Sequence, residues 1–168
     1  MSSHEIQIRE ATAADAEAIW NIIKEVIVTG DTYAFAPDTP KADMLNYWFA
    51  PGAYPFVATL DGEIAGTYVI RKNQPGLGSH IANGAFMTSG AFRKFGIGRA
   101  MGKHALKAAR ARGFEAMQFN FVVKSNTRAV ALWESLGFQI MAEIPNAYRH
   151  AQNGLTSIYI MHRSLEDQ

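Results

Sequence analysis

FMTSGAFRKFGIGRAMGKHALKAARAR, residues 86–112, decides how the chain folds. An apolar run ends at Thr88 and a polar turn containing glycine follows. Arg93-Lys94-Phe95-Gly96-Ile97-Gly98-Arg99 then leads into a helical pattern. Ala100, Met101, His104, Ala105, Ala108 and Ala109 recur at three- and four-residue steps on one face, while Lys103, Lys107, Arg110 and Arg112 take the other. The stretch therefore reads as strand, glycine loop, helix N-terminus.

A junction of this kind is suited to an anion. The first N–H groups of a helix have no intrahelical acceptor, and the helix dipole adds partial positive charge at that end. Glycines at 96 and 98 let backbone approach a bulky phosphate, and Arg93, Lys94 and Arg99 add charge. The competing reading is an ordinary strand–turn–helix whose glycines serve only the turn. Two other glycine loops are excluded. No Gly-Lys-Ser/Thr follows, as a triphosphate loop requires, and Met101 stands where the dinucleotide fingerprint places its third glycine.

Outside this stretch, composition narrows the function classes. The 168 residues suit one domain, 1–168, and 48% apolar content excludes a disordered chain. A net charge of +1 gives no reason to expect nucleic acid or an anionic membrane as partner. Without cysteine, disulfides, thiolate metal sites and cysteine nucleophiles are excluded. The opening MSSHEIQIRE lacks the apolar core of a signal peptide, and no apolar run approaches the ~20 residues of a helical span. The expectation is a cytoplasmic protein.

Working outward, residues 4–10 alternate as a first strand, and Thr12 with Asp15 forms a capping-box variant for a helix to about Val28. The apolar stripe of that helix is Ala16, Ile19, Trp20, Ile23, Val26 and Ile27. TYAFAPDTP is irregular, and its Tyr33 and Phe35 either plug the core or line a substrate pocket. Lys41–Phe49 reads as a second helix. Tyr54–Leu60 and Glu63–Arg71 form a hairpin about Asp61-Gly62, and His80–Thr88 is the strand entering the glycine loop. Phe114–Val123 is a strand, and Ser125 caps a helix to about Leu136. Phe138–Ile144 and Thr156–His162 make a last antiparallel pair joined by the loop NAYRHAQNGL. The order is β-α-α-β-β-β-α-β-α-β-β. The two strands flanking the crossover helix should be parallel neighbours.

Three features then converge on one resemblance. They are Arg93-x-x-Gly96-x-Gly98 between strand and helix, Asn126-x-x-Ala129-x-x-x-Trp133-x-x-x-Gly137-Phe138, and Ile8-Arg9-x-Ala11 before the first helix. Together with the element order they resemble the GNAT acetyltransferases over nearly the whole chain. The branch they look most like contains the phosphinothricin and proline-analogue (azetidine-2-carboxylate) enzymes. The resemblance implies an α/β fold with a mixed, mostly antiparallel sheet of about seven strands, splayed between strands 4 and 5, with helices on both faces. It implies acetyl-CoA in that gap, no metal, a small-molecule amine as acceptor, and a homodimer as the common assembly. Pantetheine would pair with the backbone of Met87 and Thr88, and the pyrophosphate would rest on residues 94–99, that is Lys94, Phe95, Gly96, Ile97, Gly98 and Arg99, with Arg93 beside them. Asn126 would bond the pantetheine arm unless it serves only as a turn residue, and Trp133 would border the donor.

Acetyl transfer needs the amine deprotonated, the thioester carbonyl polarised and the leaving thiolate stabilised. The sequence departs from the family at both familiar acid–base positions: Asn83 stands where many relatives carry Glu, and Trp133 where many carry Tyr. Neither titrates usefully. Either catalysis is lost, leaving a non-catalytic acyl-CoA-binding sensor or interaction module, or the site works by orientation and hydrogen bonding. In the second case Asn83 would accept from the attacking N–H, and Asn120 or a backbone N–H near Met87 would bind the oxyanion. Asn120 interrupts an apolar strand and should be buried with a partner, unless it satisfies a bulge. Arg149 would bind an acceptor carboxylate if it is not simply solvated. Of the histidines, His104 reads as a packed helix residue and His150 as a neighbour of the acceptor loop; no His/Asp/Glu cluster has metal-ligand spacing.

Overall fold

The computed structural model describes residues 3–166. Strand β1 (Ile6–Glu10) leads through one tight turn, Ala13–Asp15, into α1 (Ala16–Ile27), and α2 (Lys41–Trp48) follows. Then come β2 (Tyr54–Leu60), β3 (Glu63–Lys72), β4 (Ile81–Thr88), α3 (Ile97–Ala111), β5 (Ala116–Val123), α4 (Thr127–Ser135), β6 (Gln139–His150) and β7 (Gly154–Ser164). The strands form one seven-stranded sheet in the order β1-β2-β3-β4-β5-β7-β6. Every neighbouring pair is antiparallel except β4 with β5.

Local chemistry accounts for the ends of these elements. Asp61 and Gly62 both take positive φ, 50° and 90°, which gives the β2–β3 hairpin a turn matched to strand twist. Before α1 the Asp15 carboxylate accepts from the Thr12 N–H at 2.8 Å and receives two Arg9 guanidinium bonds at 2.8 Å each. Asn126, and not Ser125, caps α4: its side-chain oxygen accepts from the Ala129 N–H at 3.3 Å.

The sheet separates two apolar layers. Alternation along β4 sends Ala82 and Phe86 toward α3 and α4, and Ala85 and Met87 toward α1 and α2. Ile19, Ile22, Ile23 and Ile27 make the buried face of α1, while Trp20 and Val26, expected within that stripe, lie at its margin. The few polar groups drawn inside are bonded. Trp48 N–H donates to the Thr67 hydroxyl at 2.9 Å, which donates to Phe56 C=O at 2.8 Å. Tyr68 O–H meets His104 Nδ1 at 2.6 Å. Burial lowers the His104 pKa and raises that of Tyr68, so a neutral imidazole accepts from a protonated phenol.

One expected loop is strand. NAYRHAQNGL was expected to be irregular because it is polar, yet β6 runs through to His150 and β7 begins at Gly154. The ladder crosses an irregularity between Ile144 and Tyr148, where Asn146 takes φ 53°. A bulge lets pairing resume beyond residues that break the alternation.

Candidate functional site

The β4–β5 ladder is short. Ile81 pairs with Ala116 and Ala82 with Met117, and beyond them the strands part. The rest of the β4 edge faces a cleft of about 560 Å³, continuous with a smaller 60 Å³ recess between the strands. Phe86, Tyr33, Asn126 and Trp133 line both.

The N-terminus of α3 stands at the mouth. Gly96 adopts φ 78° as its N-cap, a conformation that side chains resist. The Ala100 N–H bonds Gly96 C=O at 3.0 Å, so the N–H groups of residues 97–99 precede the first helical bond. Arg93, Lys94, Gly96, Ile97 and Gly98 line the cleft there with Arg128. Phe95 and Arg99 do not: Phe95 packs edge-on against His4, and Arg99 donates to the Ser135 hydroxyl at 2.9 Å. A carboxylate braces the preceding turn, where Glu25 accepts the Gly90 N–H at 2.6 Å.

Strand alternation revises which backbone faces the gap. The Ser89 N–H bonds Ala65 C=O at 2.8 Å, so odd-numbered positions of β4 turn their peptide groups toward β3. Met87 lies opposite Thr67 in that ladder. The groups presented to the gap belong to Phe86 and Thr88, and the expectation for Met87 is corrected: the residue borders the cleft, but its peptide is engaged in the sheet. Sequence periodicity showed the two faces of β4 without revealing which edge each peptide used.

The aromatic floor is tertiary. Trp133 packs on Phe86 at 4.8 Å and on Phe119 at 4.6 Å, and Phe119 stacks on Phe138 at 4.6 Å. Tyr33 reaches in from the segment between α1 and α2. Its hydroxyl accepts from Phe86 N–H at 3.1 Å and donates to Phe86 C=O. Phe35 takes the plug alternative, packing between Tyr33 and Tyr47 outside the cleft lining. The β6–β7 hairpin closes over this segment: Tyr148 O–H donates to Tyr33 C=O at 3.0 Å, and Ala151 N–H to Gly30 C=O at 3.0 Å.

The polar residues assigned to catalysis and the acceptor stand apart from the cleft lining. The Asn83 side-chain oxygen accepts the next N–H, that of Gly84, at 2.7 Å. Asn120 was expected to be buried and is exposed; its amide donates to Asn73 at 2.6 Å and accepts from Gln118 at 2.9 Å. It shares a face with Gln118, opposite the buried Met117 and Phe119, so strand alternation turns it out of the apolar run. Arg149 is exposed next to the buried Tyr148, so strand alternation sends it to the opposite face, and Tyr148 is the residue aimed inward. Glu25 and the Phe86 peptide were missed by sequence reasoning, because each acts through a contact distant in the chain. Among the described residues no group of three or more His, Asp or Glu could hold a metal ion, and no helix is long and apolar enough to cross a membrane.

Comparison with known proteins agrees with this architecture. The acetyltransferase (GNAT) family profile matches residues 19–138. The chain is 37% identical over 108 residues to the N-acetyltransferase aca1 of Schizosaccharomyces pombe, covering 62% of this chain and 52% of that protein, and so spans about half its length. It is 27% identical over 149 residues to a phosphinothricin N-acetyltransferase of Streptomyces viridochromogenes, covering 86% of this chain and 81% of that one. A GCN5-related N-acetyltransferase from Kribbella flavida superposes with a TM-score of 0.90 at 37% identity, over 95% of this chain and 97% of that one. A phosphinothricin acetyltransferase from Sinorhizobium meliloti, solved with acetyl-CoA, shares the fold with a TM-score of 0.85 at 21% identity, over 95% and 88% of the chains. With a profile match over more than half its length, and this splayed sheet, the chain belongs to the GNAT family of acetyltransferases.

Proposed function

We propose that this protein is an acetyl-CoA-dependent N-acetyltransferase acting on a small-molecule amine, an amino acid, imino acid or analogue, by direct transfer in a ternary complex. The observation that carries the reading is the parted β4–β5 edge with the α3 N-terminus at its mouth. Those groups fit the donor's chemistry. The N–H groups of residues 96–99 with Arg93 and Lys94 suit a pyrophosphate, and the gap-side peptides of Phe86 and Thr88 suit an amide-bearing arm added as a strand. Acetyl-CoA supplies the activated acyl group. The chain's own contribution is to hold donor and amine together in the cleft and to exclude water with the Trp133–Phe86–Phe119 floor. A cytoplasmic homodimer remains part of this proposal.

Thiol release from acetyl-CoA against amino acids, cyclic imino acids, phosphinothricin-like compounds, polyamines and aminoglycosides tests it. Turnover with a carboxylate-bearing amine is the expected result. Saturable binding without release on any amine would favour the acyl-CoA sensor, a reading motivated by Asn83 and Trp133 at the positions where relatives carry acid–base residues.

A further inference from the structure

Tyr33 does something the family pattern does not require. A single phenol oxygen engages both peptide groups of Phe86, the pair that an added strand would use. One position deeper along the same edge, the Gly84 N–H is taken by Asn83 at 2.7 Å. Phe86 N–H is therefore the innermost gap-side donor that a ligand can claim by exchange with a side-chain hydroxyl. With phosphates at residues 94–99 and the arm passing Thr88, the end of the arm arrives at Phe86.

We propose that Tyr33 is a catalytic residue: when the carbonyl oxygen of an acyl thioester takes the Phe86 N–H, the Tyr33 O–H redirects from Phe86 C=O to that oxygen and becomes its second hydrogen-bond donor. This inference rests on the acetyl-CoA reading above. The phenol oxygen gives way while its backbone and ring stay tethered beside the gap. Its backbone carbonyl is held by Tyr148 O–H at 3.0 Å, and its ring stacks on Phe35 at 6.4 Å. A ligand oxygen that takes the phenol's place on the N–H shifts the phenol oxygen by about 3 Å, one hydrogen-bond length, and leaves its O–H beside that oxygen.

The chemistry balances without a further reactant. The amine lone pair forms the N–C bond while charge builds on the carbonyl oxygen between Phe86 N–H and Tyr33 O–H. The C–S bond then breaks with its electron pair on sulfur, and the amine proton leaves to water. Tyr33 keeps its proton. Burial pushes the phenol up to about 12, well above a thiol near about 8.5, so it donates to the oxyanion and does not protonate the departing thiolate.

The test reads the carbonyl of bound, carbon-13-labelled acetyl-CoA by isotope-edited infrared spectroscopy, beside steady-state kinetics, in wild type and Tyr33→Phe. The expected result is a lowered carbonyl frequency in wild type that moves back toward the free value in the variant. Turnover should fall roughly 100-fold, the usual cost of losing one oxyanion donor, with acetyl-CoA affinity unchanged or tighter. An identical band in the two proteins, or unchanged turnover, overturns the proposal. If Tyr33→Phe does not fold, site-specific fluorotyrosine at 33 should lower the band further as the phenol becomes more acidic, and a band indifferent to fluorination overturns it equally. The band needs no acceptor, so failure of every amine would refute the small-amine reading while leaving this result standing. Absence of acetyl-CoA binding would refute both.

Discussion

The mouth and the floor of the cleft are built in opposite ways. The mouth, residues 93–98, is one continuous piece of chain whose useful groups are backbone N–H, and its two glycines keep side chains out of the way. The floor is assembled from side chains brought together from the α1–α2 segment, β4, β5 and α4: Tyr33, Phe86, Phe119 and Trp133. Removing one contact at the mouth should affect ligand binding and leave folding alone. Removing one at the floor should affect both, because the same rings are part of the core.

The sharpest break of that contrast is Gly98→Trp. A Cβ at 98 would meet only Leu132, at 3.5 Å, so the backbone tolerates substitution while an indole fills the cleft. Acetyl-CoA affinity measured by calorimetry should fall at least about 100-fold, equivalent to ~2.7 kcal/mol, with the melting temperature near wild type. Retained affinity in a soluble variant would remove the mouth from the donor site.

At the floor, Trp133→Ala should lose stability first. Deleting a buried aromatic costs about 3–5 kcal/mol, and Trp133 contacts Phe86, Phe119 and Phe138. Denaturant titration with an unshifted midpoint would show that the floor is not part of the core after all.

A reference that touches neither region is the Arg9–Asp15 pair. The Arg9 guanidinium, with help from the Thr12 N–H, holds the Asp15 carboxyl down at about 2, against 3.8 unperturbed. A depressed carboxylate gives stability that is fully present above the unfolded pKa and is lost as pH falls through the folded one, here between about pH 4 and 2. The contribution is about 1–2 kcal/mol once the exposed half of Arg9 is discounted. Wild type should lose that margin over Asp15→Asn on acid titration, and parallel curves would refute it.

Asn126 lies where mouth and floor meet, and gives the smallest effect. Losing its cap to Ala129 should cost about 1 kcal/mol in Asn126→Ala. Asn126→Asp keeps a capping oxygen and should restore stability. If turnover returns with it, Asn126 is a cap alone; if stability returns without turnover, its amide touches the donor.

The same contrast explains what was legible in the sequence. Arg93-x-x-Gly96-x-Gly98 before an amphipathic helix is local, so the strand–glycine loop–helix junction and the parallel crossover around it could be read directly. The expected splay between strands 4 and 5 came from resemblance to a family and agrees with the short β4–β5 ladder, which ends at Ala82. The acceptor side was read less well. Polar residues 145–155 suggested a loop where hairpin pairing continues, and Asn120 and Arg149 were assigned inward although strand alternation turns both out.

Periodicity, glycine placement and the order of elements are properties of neighbouring residues, so the sequence alone determined the fold class, the helix whose N-terminus follows the glycine loop, and the two faces of β4. Which edge of β4 each peptide uses, and that a phenol many residues upstream occupies Phe86, depends on the register against β3 and on the path of the segment after α1. Those are set by the packing of the whole core, where contacts between distant residues compete and only their sum selects a geometry.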